Sequence, residues 1–438
     1  MIHRKTPVLI AVLLLLALAL MAQQSPAGYL ALLEPPRYLQ DLAERQDIPA
    51  DAKLALAALF FSGADETQER FSLEKLDRLL AQAALLAEEF TEPYERGNAV
   101  FELLYPDTLR QYVETSTTLH EALIAGTYNC VSSAVLFYLL ANAARLTTTI
   151  FLTEDHMFCR VTMPDGSLVT AETTSPYGWD PGSPRPVRSA DPELKTYAYT
   201  PKVDYRTARS ITPKTMIATI ASNRIVLLEG RKNYEASMQL ASAMYGYEPT
   251  EEYRKLLLER VNNLCAVFVG RKDYGTALAF IKAATERYGS LPLIDKLYSQ
   301  IYVAHLLGTI ETRPFEEALS ELKAAREGGM LSSGDFSQAV TYIYSIRAVS
   351  LQKTDSWFAA WQEMQAAVKS FPDSASLKEL NRTVYGNWVS EVHNTFAAYF
   401  NSRNYDAARK VLVEALAWAP SEKRFLDDLA LLDKATKK

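Results

Sequence analysis

Cys130 stands at the start of a segment whose residue types could carry thiol chemistry. The sequence around it reads GTYNCVSS over 126–133, and the apolar run over 131–144 is typical of a helix. Asn129 is a favourable N-cap residue, so Cys130 falls in the first helical turn. The partial positive charge at a helix N-terminus stabilises a thiolate, and backbone N–H groups there bind an oxyanion. The pattern predicts a nucleophilic cysteine.

A thiol nucleophile needs a base, and His156 opens the next predicted strand. Polar and apolar residues alternate over 156–163, so His156 and Cys159 lie on opposite faces of that strand. The face that carries Cys159 is apolar, and we interpret Cys159 as a structural residue of the core. His156 is the candidate general base for Cys130.

Glu172 is the candidate for the group that orients the base, and the turn before its strand decides which way it faces. A two-residue loop pairs residue 159 with 172 and puts Glu172 on the Cys159 face. A three-residue loop over 164–166 pairs 158 with 172 and puts Glu172 diagonal to His156. The order Pro-Asp-Gly fits a type I turn closed by a left-handed glycine, which favours the second register. The alternative is that Glu172 is a solvated strand residue.

Four neighbouring residues are candidates for substrate contacts: Tyr128, Asn129, Tyr177 and Trp179. Tyr177 and Trp179 follow the second strand, where they could line a substrate groove. The alternative is that these two residues anchor the loop, and the sequence does not separate the two roles.

A metal site is the competing interpretation of His156, because Glu154 and Asp155 precede it. Three ligand types so close in sequence rarely converge on one ion without partners elsewhere. The cysteines at 130, 159 and 265 have neither the spacing of a disulfide framework nor that of a zinc finger. We predict no metal and no organic cofactor.

The candidate triad resembles the transglutaminase-like superfamily of papain-like cysteine enzymes. The resemblance covers roughly residues 95–185 and rests on YNCVSSAVLFYLLA, the strand that begins at His156, the PDG turn and VTAETTSPYGW. It implies an α+β papain-like fold in which Cys130 is the nucleophile, His156 the base and Glu172 the orienting residue. The third position is usually Asp in this family, and the tryptophan that often helps to form the oxyanion site is not evident near Cys130.

The second half of the chain reads as helical repeats. An aromatic residue is followed three residues later by a small one in five places: Tyr234/Ser237, Tyr274/Ala277, Phe315/Ala318, Trp357/Ala360 and Tyr405/Ala408. Recurrence of this kind predicts an all-α solenoid of stacked helical hairpins, with the second helix of each hairpin starting at the aromatic residue. The units resemble tetratricopeptide repeats, although their spacing exceeds the usual period of about 34 residues. An irregular helical bundle is the alternative.

The N-terminus has the features of an export signal. His3, Arg4 and Lys5 precede an apolar run over 8–22, and polar residues follow. The run is shorter than the roughly 20 residues of a membrane span, so cleavage is favoured and an uncleaved anchor is the alternative. We therefore predict a signal or anchor at 1–24, a transglutaminase-like domain with a helical N-terminal part at 28–205, and repeats at 206–438.

These features together predict a protein of the periplasm or cell envelope. The net charge of −6 and the absence of any basic run argue against nucleic-acid binding. Members of the resembled family outside animals are often hydrolases, which implies a peptidase or amidase acting on a protein or peptide. The repeats would bind that substrate or a partner protein. The competing hypothesis is a catalytically inactive scaffold of the envelope.

Overall fold

The protein is mostly helical, with small β-sheets near the candidate site. The computed structural model describes residues 26–105, 107–187, 196–198, 200–201, 206–309 and 313–436. Within these ranges lie seventeen α-helices and eight short strands. The predicted signal or anchor at 1–24 falls outside the described residues.

Five helices precede the candidate site, and they are α1 (Pro26–Leu30), α2 (Arg37–Glu44), α3 (Ala50–Ser62), α4 (Glu66–Glu89) and α5 (Pro93–Leu103). Asp65 starts α4 through a capping box, in which its carboxylate accepts a hydrogen bond from the Gln68 amide. Apolar side chains such as Leu59 and Phe61 are fully buried. The N-terminal part of the predicted domain is therefore helical, as expected.

The strands form three small sheets, and two of them contact the helix that begins at Cys130, α6 (Cys130–Ala143). Strands β1 (Gln111–Tyr112) and β2 (Thr127–Tyr128) pair in parallel just before that helix. The largest sheet is antiparallel and has the order β5-β4-β3-β8, with β3 (Thr148–Leu152), β4 (Met157–Thr162), β5 (Leu168–Ala171) and β8 (Arg209–Ile211). Strands β6 (Arg185–Val187) and β7 (Thr196–Ala198) form a separate antiparallel pair.

The turn between β4 and β5 has the three-residue register that the Pro-Asp-Gly order favours. Cys159 pairs with Ala171, and the Met163 N–H donates to the Ser167 carbonyl at 2.8 Å. Gly166 has a φ of 83°, in the left-handed region that favours glycine. This register brings Glu172 opposite residue 158, as predicted.

The remaining helices are α7 (Pro213–Gly230), α8 (Tyr234–Tyr247), α9 (Glu251–Gly270), α10 (Tyr274–Tyr288), α11 (Pro292–Thr309), α12 (Phe315–Glu327), α13 (Ser333–Thr354), α14 (Trp357–Ser370), α15 (Ala375–Asn401), α16 (Tyr405–Trp418) and α17 (Lys423–Thr436). Each of the five repeat aromatics is the first residue of a helix, as predicted. Three of the turns before these helices also share a left-handed residue: Lys232, Lys272 and Arg403, with φ of 59°, 59° and 61°. The repetition in sequence is therefore also a repetition of backbone geometry.

The described chain divides into two compact units. One comprises the residues up to Arg271 together with Ala279–Leu291, and the other comprises Lys272–Leu278 with the residues from Pro292 onward. Helix α7 belongs to the first unit because it packs on α3 and α6, and its Arg224 guanidinium donates to the Phe61 carbonyl at 2.5 Å. The predicted boundary at 206 marks a change of sequence character and stays a prediction of where the repeats begin.

None of the helices in the described ranges is both long enough and apolar enough to cross a membrane.

Candidate active site

Cys130 is the first residue of α6, and Asn129 caps the helix as predicted. The Asn129 Oδ1 atom accepts hydrogen bonds from the amides of Val131 and Ser132, at 2.9 Å and 3.2 Å. The Ser132 hydroxyl accepts from the Asn129 amide in return, which completes a capping box. The Cys130 thiol is partly exposed, while the remainder of α6 is largely buried. The helix start therefore holds one accessible sulfur at the positive end of the helix dipole.

His156 lies just before β4, next to two of the predicted site residues. Its Nε2 atom is 2.8 Å from Glu172 Oε2, and the Cys130 side chain is close enough to act on the pKa of the ring. Because Nε2 faces the carboxylate, Nδ1 is the ring nitrogen available to the thiol. Burial lowers the pKa of His156, but the hydrogen bonds and charges of Cys130 and Glu172 outweigh it and raise that pKa to about 10. The imidazolium form is therefore strongly favoured.

Glu172 follows β5, and both of its carboxylate oxygens are engaged. Oε2 faces His156, and Oε1 accepts from the Thr174 hydroxyl at 2.6 Å and from the Thr174 amide at 3.3 Å. The residue is only 7% exposed. Its amide donates to the Gly178 carbonyl at 2.8 Å, and a Cβ at Gly178 would lie 1.9 Å from the Glu172 carbonyl oxygen. The carboxylate is thus held by a tightly folded loop.

Buried hydroxyl contacts tie the helix of Cys130 to the strand end that carries Glu172. The Ser133 Oγ and Thr173 Oγ1 atoms are 2.8 Å apart, and both residues are fully buried. The Ser133 hydroxyl also donates to the Asn129 carbonyl at 2.7 Å. On the other side, the Tyr105 hydroxyl donates to the Thr173 carbonyl at 2.6 Å. These bonds fix the position of α6 relative to the His156–Glu172 pair.

The four candidate substrate residues have different surroundings. Trp179 is 1% exposed and packs against the rings of Phe101 and Phe137. Of the two roles left open by the sequence, this enclosure in the core favours that of a loop anchor. Tyr177 is half-buried on the same loop. Asn129 is 4% exposed and is occupied by helix capping.

Tyr128 is also enclosed beneath the site. It is 4% exposed, its hydroxyl reaches the Thr174 carbonyl at 3.5 Å, and it hydrogen-bonds to Tyr105. Burial raises its pKa. The structure gives Tyr128 a supporting position rather than an exposed one.

Tyr112 is a site residue that the sequence analysis did not find. It pairs with Tyr128 across the parallel strands β1 and β2, and the two rings make an edge contact at 5.9 Å. It is 48% exposed. Burial raises the pKa of its hydroxyl, and the charges of Cys130 and Glu114 raise it further. No local signal places a two-residue strand beside a nucleophile, because a parallel pairing joins segments that are distant in sequence.

The other two cysteines are structural. Cys159 and Cys265 are fully buried, and burial raises the pKa of both thiols, to about 12 for Cys265. The Cys159 thiol points to the Ala134 carbonyl of α6 at 3.8 Å. Among the described residues, no group of three or more His, Cys, Asp or Glu side chains is arranged to hold a metal ion.

The geometry suits acyl chemistry at sulfur. A partly exposed thiol at a helix N-terminus contacts an imidazole, and a buried carboxylate holds that imidazole from the other side. Nucleophile, base and orienting group are the parts that thiol acyl transfer requires.

Comparison with known proteins gives little further guidance. The chain matches no family model and no curated protein. One solved structure that is similar to it is the crystal structure of menin that reveals the binding site for the Mixed Lineage Leukemia (MLL) protein. The identity is 14% over 82% of this chain and 95% of that chain, and the TM-score is 0.29. A TM-score this low carries no argument about this chain.

Proposed function

We propose that this protein is a thiol acyl-transfer enzyme, a peptidase or amidase, built on a papain-like, transglutaminase-like domain. The observation that carries the proposal is the 2.8 Å bond between His156 and Glu172 beside Cys130, which is the first residue of a capped helix. A structural cysteine gains nothing from a place at a helix N-terminus beside an imidazolium. Further support comes from the packing of α6 on the antiparallel sheet whose strand β4 starts directly after His156.

The reaction starts from the Cys130 thiolate and the His156 imidazolium. The sulfur attacks the carbonyl carbon of an amide, a C–S bond forms, and the carbonyl oxygen takes up the electron pair. The C–N bond then breaks while His156 gives its proton to the leaving nitrogen, which leaves a thioester on Cys130. A water molecule gives a proton back to His156 and attacks the thioester. The C–S bond then breaks, the acid product departs, and the Cys130 thiolate beside the His156 imidazolium is restored.

Glu172 acts on this cycle through His156. Its carboxylate orients the imidazole and stabilises the imidazolium, as the third member of a triad does. Glu172 is one methylene longer than the Asp that is usual at this position. The Thr174 hydroxyl and amide, which both donate to Oε1, restrain that longer side chain.

The test of this proposal is acylation of Cys130 by p-nitrophenyl acetate. We expect a burst of p-nitrophenol from the wild type, with the acetyl group located on Cys130 by peptide mass spectrometry. Cys130→Ser should abolish the burst, and His156→Ala should slow it about 10²-fold or more. A wild type without a burst, or a burst that survives in Cys130→Ser, would rule out the enzyme.

The repeats would bind the peptide substrate or a partner protein. A groove of about 750 Å³ runs along one face of α15, where Asn387, Glu391 and Asn394 recur at helical spacing, and Trp357 of α14 flanks it. Asparagine amides can pair with the backbone of an extended peptide, and an aromatic side chain can bind an apolar residue of it. Glu391 favours a peptide with a basic side chain.

The groove is tested with a library of extended peptides displayed to the full-length protein. We expect selected peptides to be enriched in a Lys or Arg flanked by an apolar residue, and to lose binding to the variant Asn387→Ala/Asn394→Ala. Lys378→Ala, an exposed change on the opposite side of α15, is the control. Equal binding to both variants would show that the groove is not the site.

A location in the periplasm or cell envelope is supported by the sequence of residues 1–24, with its positive start and apolar run. A protein or peptidoglycan-peptide substrate suits such a location.

A further inference from the structure

The proposed reaction places a negative charge on the substrate carbonyl oxygen, and the start of α6 has few free donors for it. The amides of Val131 and Ser132 both donate to Asn129 Oδ1, and the amide of Ser133 donates to the Asn129 carbonyl at 3.1 Å. The Cys130 N–H is not part of this capping network. One amide alone is a weak oxyanion site, because such sites use two or more aligned donors.

Tyr128 does not supply the second donor. It lies closest in sequence to Cys130 among the tyrosines, but it is 4% exposed, and its hydroxyl is engaged with Tyr105 and the Thr174 carbonyl. A substrate oxygen cannot reach it without opening that buried contact.

Tyr112, in contrast to Tyr128, can supply the second donor because a substrate can reach it. The parallel β1–β2 pairing places Tyr112 directly opposite Tyr128, and their rings touch edge to face at 5.9 Å. The Val113 amide donates to the Tyr128 carbonyl at 2.8 Å, which fixes this segment against the residues that lead into Cys130. Tyr112 is 48% exposed, so a substrate can approach its side chain.

The phenol of Tyr112 lies in the electrostatic field of the site. Burial is the largest cause of its raised pKa, and the charges of Cys130, Glu114 and Glu172 raise that pKa further. The hydroxyl therefore keeps its proton at neutral pH and acts as a hydrogen-bond donor.

We propose that the Tyr112 hydroxyl and the Cys130 N–H together bind the carbonyl oxygen of the substrate and stabilise the oxyanion. This inference rests on the proposed function, since only an acyl transfer develops that charge. The O–H donates without losing its proton, so no proton transfer is added to the reaction. Tyr112 is then a catalytic residue, and the ring of Tyr128 packs against its ring.

The test compares two reactions of the same sulfur. Acylation by p-nitrophenyl acetate passes through a tetrahedral oxyanion, whereas alkylation by iodoacetamide does not. We expect Tyr112→Phe, which keeps the ring contact with Tyr128, to slow acylation about 10²-fold. Its alkylation rate should stay within about twofold of the wild type, because the thiol and its base are untouched.

The control is Tyr38→Phe, a change at a tyrosine of α2 that is 40% exposed; it should alter neither rate. Tyr112→Phe overturns the inference if acylation is unchanged, or if both rates fall together, as a general loss of structure would cause. If the wild type is not acylated at all, the proposed function itself fails, which is a separate and recognisable result.

Discussion

The Nε2 atom of His156 lies 2.8 Å from the Oε2 atom of Glu172, across a turn that pairs Met163 with Ser167. The imidazole is half-buried and the carboxylate is almost fully buried. Removing either partner leaves a polar group with too few hydrogen bonds in a poorly solvated place. The predictions below follow from this pair and from the loop that supports it.

Replacing Glu172 by Gln should keep the shape of the site but remove the charge that stabilises the imidazolium. We expect acylation of Cys130 by p-nitrophenyl acetate to slow by about 10²–10⁴-fold, the range of general acid–base catalysis. Glu154→Gln is the matched control, since Glu154 is exposed on the loop just before His156. Similar rates for Glu172→Gln and the wild type would show that Glu172 has no part in the reaction.

The pH dependence of alkylation should depend on His156. Its raised pKa, about 10, keeps the imidazolium beside Cys130 over the whole neutral and mildly acidic range. At about pH 6 we expect iodoacetamide to alkylate the wild type at least about tenfold faster than His156→Ala, because the neighbouring cation stabilises negative charge on the attacking sulfur. Peptide mapping confines the measurement to Cys130, since Cys159 and Cys265 are buried. Equal rates would contradict the catalytic pair.

The free energy of unfolding should also depend on pH through the raised pKa of His156. The pKa of His156 is about 10 in the folded protein and about 6.5 in an unfolded chain. Its protonation therefore stabilises the fold fully below about pH 6.5, and this contribution disappears as the pH rises through about 10. We expect the difference in free energy of unfolding between wild type and His156→Gln to shrink over that window in urea titrations. A difference that grows with pH would contradict the raised pKa of His156 in the folded protein.

The buried bond between Ser133 and Thr173 should be worth measurable stability. Ser133→Ala should lower the free energy of unfolding by about 1–3 kcal/mol, because the buried Thr173 hydroxyl loses its 2.8 Å partner. Thr173→Val should cost less, about 0.5–1.5 kcal/mol, because the Ser133 hydroxyl keeps its bond to the Asn129 carbonyl. The double variant should cost less than the sum, with a coupling of about 1 kcal/mol. Additive losses would mean that the 2.8 Å contact contributes no pairwise energy.

The tight approach of Gly178 to Glu172 should forbid a side chain there. Gly178→Ala puts a Cβ 1.9 Å from the Glu172 carbonyl oxygen, so the backbone must shift. We expect a loss of about 1–3 kcal/mol in stability, together with slower acylation because the carboxylate moves from His156. In Gly230→Ala, where a Cβ meets nothing within 4 Å, stability should be unchanged or rise by about 0.5–1 kcal/mol. If both variants behave alike, the loop is more adaptable than its geometry indicates.

The local parts of the site could be predicted because short-range forces decide them. Asn129 caps the helix with its own side chain, and that fixes where Cys130 stands. The Pro-Asp-Gly order selects a turn with Gly166 left-handed, and the turn alone sets the register that brings Glu172 towards His156. The helix starts at the repeat aromatics follow in the same way from capping residues such as Asn233 and Asn404.

The remaining features depend on contacts between segments far apart in the chain. The β1–β2 pairing that brings Tyr112 to the site has no local signal, and the same is true of the enclosure of Trp179 by Phe101 and Phe137. The division into compact units likewise follows from the packing of α7, which the repeat pattern does not reveal. The sequence by itself determined the capped helix start at Cys130 and the turn between the two strands, because capping and turn energies act within a few residues. Only the tertiary structure decided which aromatic side chains are exposed beside Cys130 and which are buried, because burial depends on the whole packed core.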